Sequence, residues 1–148
     1  MIAAMRDSIA TFTERLATVR GSHAAPHRGW TLAHAIAHCA QSIECSMTSY
    51  PKLRSGLFRA TIGPVVKRKF IRAGKMTHDV TAPIEGAAAI DTGIPLGAAC
   101  DRAATALRWF ADFDGALAPH LAYGRCTKLE YAELHLLHFE DHARAFGV

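Results

Sequence analysis

Two histidines near the C-terminus, His138 and His142, are spaced so that their side chains can act on one ligand. Residues four apart in an α-helix lie on one face, about 6 Å apart along the axis. Two imidazoles in this arrangement can converge on one divalent metal ion. A polar core without metal is the alternative, but two buried imidazoles would then need several hydrogen-bond partners. Helical geometry also turns this pair toward the interior, since Glu133 and Glu140 would lie on the opposite side.

A third ligand must come from another part of the chain, and His34 and His38 form a second pair four residues apart. The spacing alone leaves both open, although His38 is nearer the middle of its predicted helix. Three neutral imidazoles would leave the ion at least one open position. An ion of that kind lowers the pKa of a bound water or thiol, which is useful in hydrolysis or thiol transfer.

Several other side chains could line a pocket near these histidines. His120 could reach the mouth of the site, although a surface position or a hydrogen bond within its loop is the favoured interpretation. For Tyr131 and His135 we favour packing in the core. Asp141 lies about 100° around the helix from His142 and is a poor candidate for the same ion, which argues against a two-histidine, one-carboxylate iron site.

Four long helices are predicted to position these residues. Apolar spacing and end signals place them at residues 1–20, about 31–50, 96–113 and from the Thr127–Glu130 capping box to Phe146. A short basic helix is expected from Gly63-Pro64 to Gly74, followed by an irregular connection over residues 76–95. With no strand alternation, the prediction is an all-α, up-down four-helix bundle with an elaborated connection between helices two and three, forming one domain over residues 1–148.

Several short motifs, in their order along the chain, resemble those of an uncharacterised branch of the DinB/YfiT-like superfamily. The resemblance extends from about residue 28 to the end of the sequence. The motifs are Trp30 eight residues before His38, Cys39–Ile43, Ser46–Pro51, Gly56–Phe58, Ile62–Pro64, Pro119–Gly124 and His135–Gly147. The resemblance implies an up-down four-helix bundle in which three histidines bind a divalent metal near one end.

The family histidines fall on His38, His138 and His142 of this chain. Relatives in the superfamily include thiol-dependent S-transferases and a maleylpyruvate isomerase that uses a low-molecular-weight thiol. The resemblance therefore implies a metal-dependent enzyme with zinc, nickel or iron and such a thiol, and a possible homodimer. Ala143 stands where the branch would usually have another histidine. A non-catalytic metal- or ligand-binding bundle, or a structural protein with a histidine-lined core, remains the alternative.

The positive charge of the chain is concentrated in one segment. Between Glu44 and Asp79 there is no acidic residue, but there are eight basic ones: Lys52, Arg54, Arg59, Lys67, Arg68, Lys69, Arg72 and Lys75. The segment could hold an anionic small molecule, such as an anionic thiol, or form a solvated helix face. Nucleic acid is not expected, because aromatic side chains are not regularly interleaved with these basic residues as a stacking platform would need.

The N-terminal sequence and the cysteine spacing indicate where in the cell the protein is expected. Charged residues interrupt residues 1–20, so no secretory signal is predicted, and no apolar run is long enough to span a bilayer. We therefore expect a cytoplasmic protein without a membrane partner. The four cysteines have no metal-binding spacing and are expected to be free core residues.

Overall fold

Six α-helices make up the regular structure of the protein, in a computed structural model that describes all residues from 1 to 148. There are no β-strands, only two isolated bridges, between His27 and Trp30 and between His120 and Gly124. The all-helical prediction is therefore confirmed. The helices are α1 (Ile2–Val19), α2 (Leu32–Met47), α3 (Gly56–Ala60), α4 (Ile62–Ala73), α5 (Leu96–Asp112) and α6 (Lys128–Ala145).

The four long helices pack around one apolar core. Helix α2 lies against both α5 and α6, and α1 lies against the same two helices. Phe12 of α1 and Phe139 of α6 are fully buried, with ring centroids 4.5 Å apart. Burying each such side chain stabilises the fold by about 1.5–3 kcal/mol. Alanines are buried along both α2 and α5, which lets these two helices approach closely: Ala33, Ala37, Ala40, Ala99, Ala103 and Ala106.

Helix α2 ends three residues earlier than the position predicted from Pro51. Its last turn is closed by Thr48, whose hydroxyl donates to the Glu44 carbonyl at 2.9 Å. A threonine that bonds its own helix in this way competes with continued helix. The chain beyond it returns Tyr50 to the interior, where the phenol donates to the Ser42 carbonyl.

Helix α6 begins as the sequence predicted. The Thr127 side chain accepts the Glu130 amide, and the Glu130 carboxylate accepts the Thr127 amide. Gly147, just beyond the helix, has φ +71°, a conformation that glycine adopts without strain. This helix carries the two C-terminal histidines, so its well-defined start fixes their position along the axis.

The connection between α2 and α5 contains one helix that was predicted and one that was not. Helix α4 matches the expected basic helix, whereas the five-residue α3, capped by Ser55, was missed because it is too short to show periodicity. No helix occurs between Gly74 and Leu96, as expected. Most of the basic residues between Lys52 and Lys75 are exposed to solvent. Lys67 is buried, and its ammonium donates a hydrogen bond to the Glu130 carboxylate at 2.8 Å.

Two further features complete the fold. None of the helices is both long and apolar enough to cross a membrane. All four cysteines are free thiols, as predicted; Cys39, Cys45 and Cys100 are buried in the core, whereas Cys126 is only partly buried.

Candidate metal centre

Helices α2 and α6 bring the three predicted histidines together. The Nε2 atom of His138 lies 3.2 Å from that of His38 and 3.1 Å from that of His142. The three ring nitrogens all lie within 4.8 Å of one another. His38 and His142 are buried, and His138 is partly buried. These residues, called here the three-histidine cluster, could hold a metal ion.

Trp30 distinguishes His38 from the neighbouring candidate His34. The indole lies 4.1 Å from the His34 ring, edge-on to His38 at 5.3 Å, and parallel to the His142 ring at 6.1 Å. His34 therefore packs on the indole but is not among the histidines whose ring nitrogens converge. The sequence left His34 and His38 open, and the structure brings His38 to the other two histidines.

The cluster histidines are neutral bases at physiological pH. Burial, assisted by the neighbouring imidazoles, lowers the pKa of His38 to about 4 and that of His142 to about 2. Burial lowers the pKa of His138 well below its ordinary value, with the same assistance from its neighbours. A neutral imidazole keeps one nitrogen lone pair, which is what a metal ligand requires.

Hydrogen bonding within the protein does not satisfy the cluster. The Nε2 atom of His138 faces two other Nε2 atoms, yet one ring nitrogen can form only one well-aligned hydrogen bond. The Nδ1 atoms of His38 and His142 are buried and have no partner. An ion at the centre would give each Nε2 lone pair a partner, so the donor set fits a divalent metal such as zinc, nickel or iron.

A fourth histidine, His78, lies beside the cluster and was missed in the sequence. It comes from the irregular connection before α5, and its Nε2 atom is 3.3 Å from that of His142. The Asp141 carboxylate accepts the His78 ring Nδ1–H at 2.7 Å and the His78 backbone amide at 3.0 Å. Asp141 therefore bonds His78 and is not among the clustered ligands. A histidine in an irregular segment has no periodicity, so the sequence carried no signal for this contact.

A cavity of about 270 Å³ opens next to the cluster. His38, His78 and His138 form part of its wall. Other parts of the wall come from α2, the start of the connection, the 119–124 loop and α6, namely Ser42, Arg54, His120, Tyr123, Tyr131 and His135. Small-molecule sites have this mixture of apolar lining and a few convergent polar groups.

Almost the whole length of the chain matches the model of one protein family. Residues 6–147 match DUF1569, which is described as a protein of unknown function. The chain belongs to the DUF1569 family. No curated protein and no solved structure matches it significantly. The chemistry of the site is therefore the basis for a function of this DUF1569 protein.

In this DUF1569 chain, His120 is held in one tautomer by its own loop. Its Nδ1 atom accepts the backbone amides of Ala122 at 3.1 Å and Tyr123 at 3.2 Å. A neutral ring must then carry its proton on Nε2. Burial lowers the pKa of His120 to about 3. The favoured prediction of a hydrogen bond within the loop is confirmed, and the ring also lines the cavity.

The loop that carries His120 is packed tightly against α3 and α4. A Cβ atom on Gly63 would lie 2.2 Å from the Ala122 carbonyl oxygen, and one on Gly124 would lie 2.7 Å from the Arg59 carbonyl oxygen. Gly124 also has φ +73°. Both positions therefore require glycine, and together they fix the wall of the cavity.

His135 also has a defined tautomer. Ser46 donates its hydroxyl proton to the Ile43 carbonyl at 2.6 Å, so its oxygen accepts from His135 Nε2 at 3.2 Å. The Nδ1 atom of His135 therefore carries the lone pair. Tyr131 donates to the Ala118 carbonyl at 2.8 Å. Both side chains are buried, as the core interpretation predicted, and both also contribute to the cavity wall in this family member.

Proposed function

We propose that this DUF1569 protein is a metal-dependent enzyme that acts on a small molecule. His38, His138 and His142 would bind a divalent metal, and the adjoining cavity would bind the substrate. One observation carries the proposal: two of the three clustered histidines, His38 and His138, also form the cavity wall. A ligand in the cavity would therefore lie beside whatever the histidines hold.

Thiol transfer is the reaction class we favour, with hydrolysis as its close rival. A divalent ion held by neutral imidazoles supplies thiolate or hydroxide near neutral pH by lowering the pKa of a thiol or water that it coordinates. The likeness to the DinB/YfiT-like superfamily supports thiol transfer by a low-molecular-weight thiol. The packing of α1, α2, α5 and α6 supports the up-down four-helix bundle of that superfamily.

The protein's own residues would bind and orient the substrate. The fixed Nε2–H of His120 can donate a hydrogen bond to a substrate oxygen, and the lone pair of His135 Nδ1 can accept one from a substrate hydroxyl or amine. Both groups line the cavity in one tautomer only. A donor and an acceptor fixed in this way favour one orientation of a small polar substrate.

An anionic group on the substrate or thiol fits the cavity mouth. Arg54 lines the cavity, and its guanidinium lies 5.0 Å above the Phe58 ring. It has no acidic partner, whereas Lys52 pairs with Glu85 and Lys67 pairs with Glu130. Of the basic segment, Arg54 is therefore the residue that we propose binds a carboxylate of an anionic thiol.

A non-catalytic metal-binding protein is the second candidate, and the position of His78 favours it. A fourth protein ligand would close a tetrahedral ion, as in structural sites. Binding of added thiols to the metal-loaded protein separates the two candidates, since a closed ion has no position for a thiol.

The experiment that tests the proposal is metal content by elemental mass spectrometry on protein purified without an affinity tag. The wild type and a His34→Gln control should contain near-stoichiometric metal, and His138→Ala should lose it. His34 is a matched control because it is a histidine of α2 that contacts Trp30 but lies outside the cluster. Absence of metal from the wild type, even after incubation with zinc or nickel, would overturn the proposal.

A further inference from the structure

We infer that His78 is a fourth ligand of the metal site, an inference that rests on the metal binding proposed above. The His78 ring centroid lies 4.8 Å from that of His138 and 4.9 Å from that of His142. The His138 and His142 rings are themselves 4.8 Å apart. The three rings therefore stand at nearly equal centroid separations, and His78 reaches the α6 pair through the Nε2 atom of His142.

Three successive contacts between ring nitrogens link His78 to the three-histidine cluster. Zinc–imidazole bonds of about 2.0–2.1 Å place neighbouring nitrogens roughly 2.8–3.0 Å apart in octahedral geometry and roughly 3.3–3.4 Å apart in tetrahedral geometry. The Nε2–Nε2 distances are 3.2 Å between His38 and His138, 3.1 Å between His138 and His142, and 3.3 Å between His142 and His78. Hydrogen bonds alone cannot account for them, because four such nitrogens can form at most two well-aligned bonds among these three contacts.

The contact with Asp141 gives His78 the orientation of a metal ligand. A carboxylate only accepts, so the Nδ1 atom of His78 donates, and the ring's lone pair lies on the Nε2 atom that faces His142. A metal-binding histidine commonly donates its other ring proton to a carboxylate in this way. Asp141 also accepts the His78 backbone amide and pairs with Arg144 at 3.2 Å, so it positions both ring and backbone.

A site with four histidine ligands restricts the coordination number of the metal ion that the proposed enzyme could use. Four imidazoles saturate a tetrahedral ion, whereas a five- or six-coordinate ion keeps one or two positions for a ligand from the cavity. The inference therefore favours an ion of higher coordination number. It also ties the connection between α4 and α5 to the metal, because His78 is the one ligand outside the helices.

The test uses cobalt(II), whose absorption and paramagnetic NMR spectra report its ligands. Each coordinated imidazole with a ring N–H contributes one shifted, exchangeable proton signal, so we expect four signals in the wild type and three in His78→Ala. The variant should still bind one cobalt ion, with a changed visible spectrum and at least the roughly 10- to 100-fold loss of affinity that removal of an outer-shell partner causes. Asp141→Asn, which keeps the size of the side chain, should lower the affinity less and retain four signals. His34→Gln should match the wild type.

The outcomes separate the inference from the proposal on which it rests. Wild-type affinity and an unchanged spectrum in His78→Ala, with cobalt binding still lost in His138→Ala, would overturn the role of His78 alone. Failure of the wild type to bind cobalt would overturn both. Circular dichroism checks that each variant is folded, and Asp141→Asn tests the same role with the His78 ring still in place.

Discussion

The Nε2 atoms of His38 and His138 lie 3.2 Å apart, although 100 residues separate the two histidines along the chain. Two neutral imidazoles provide little attraction to offset the burial of their polar nitrogens. Their approach is instead set by the packing of α2 against α6 and by the apolar core around them. The helices therefore hold the ligand pair in place, which lowers the entropic cost of binding an ion.

Metal binding should stabilise the fold. At a free zinc or nickel concentration 100 times the Kd, a ligand that binds only the folded state adds about 2.7 kcal/mol. For a chain of this size that corresponds to a rise in Tm of roughly 5–10 °C. Thermal unfolding of the metal-free protein with and without added metal measures the shift. His38→Ala should abolish it and His34→Gln should retain it; an equal shift in all three would place the ion elsewhere.

Arg54 should give the metal-loaded protein a preference for anionic thiols. We expect 3-mercaptopropionate to bind the nickel-loaded wild type about two- to fivefold more tightly than 2-mercaptoethanol, because an exposed ion pair contributes up to about 1 kcal/mol. Ligand-to-metal charge-transfer absorption measures both affinities.

The variant Arg54→Gln should remove this preference, and Arg68→Gln, a change on the surface of α4 away from the cavity, should retain it. An unchanged preference in Arg54→Gln would assign the carboxylate to another residue.

His120 should make stability fall as the pH is lowered. The unfolded chain binds a proton on this ring below about pH 6.5, whereas burial keeps the folded ring neutral down to about pH 3. Stability contributed by the neutral ring is therefore present above pH 6.5 and is lost progressively between these two values.

In His120→Asn, the amide oxygen can still accept from the loop amides, but the titrating group is gone. The slope of the unfolding free energy against pH should fall by about 1.4 kcal/mol per pH unit between about pH 4 and 6. Urea unfolding at several pH values, on metal-free protein, measures it. His23→Asn, at an exposed position, is the control. If the slope in His120→Asn equals that of the wild type, the folded ring titrates normally.

Gly63→Ala should destabilise the protein and disturb the cavity. Its new Cβ atom would lie 2.2 Å from the Ala122 carbonyl oxygen, so the His120 loop must move. Overpacking of this kind costs about 1–3 kcal/mol. Gly56→Ala, at the start of α3, meets no atom within 4 Å and should be neutral or stabilising by about 0.5 kcal/mol. Equal urea midpoints for the two variants would contradict a close approach at Gly63.

Local signals in the sequence accounted for the four long helices, for α4 and for the α6 histidine pair. The Thr127–Glu130 box and the four-residue spacing of His138 and His142 act within one helix, so they could be interpreted without knowing the tertiary structure. The choice of His38 over His34 could not be made in this way, because it depends on which of the two rings the packing of α2 against α6 brings to His138.

His78 and Arg54 could not be placed from the sequence at all. Both belong to the connection between α2 and α5, outside the helices, where no repeating angle relates one side chain to the next. Their positions result from contacts distant along the chain: the Arg54 amide donates to the Leu121 carbonyl, and His78 is bound by Asp141. Only the folded chain reveals them.

The parallel alignment of Trp30 with the His142 ring gives the protein an intrinsic fluorescent reporter. The indole lies within about 6 Å of two of the clustered imidazoles, whereas the other tryptophan, Trp109, packs on Phe113 at the surface of α5. A paramagnetic or open-shell ion such as nickel or copper would quench the emission of Trp30 and leave that of Trp109 as a constant background. Metal occupancy of the site could thus be followed by intrinsic tryptophan fluorescence in the unlabelled protein.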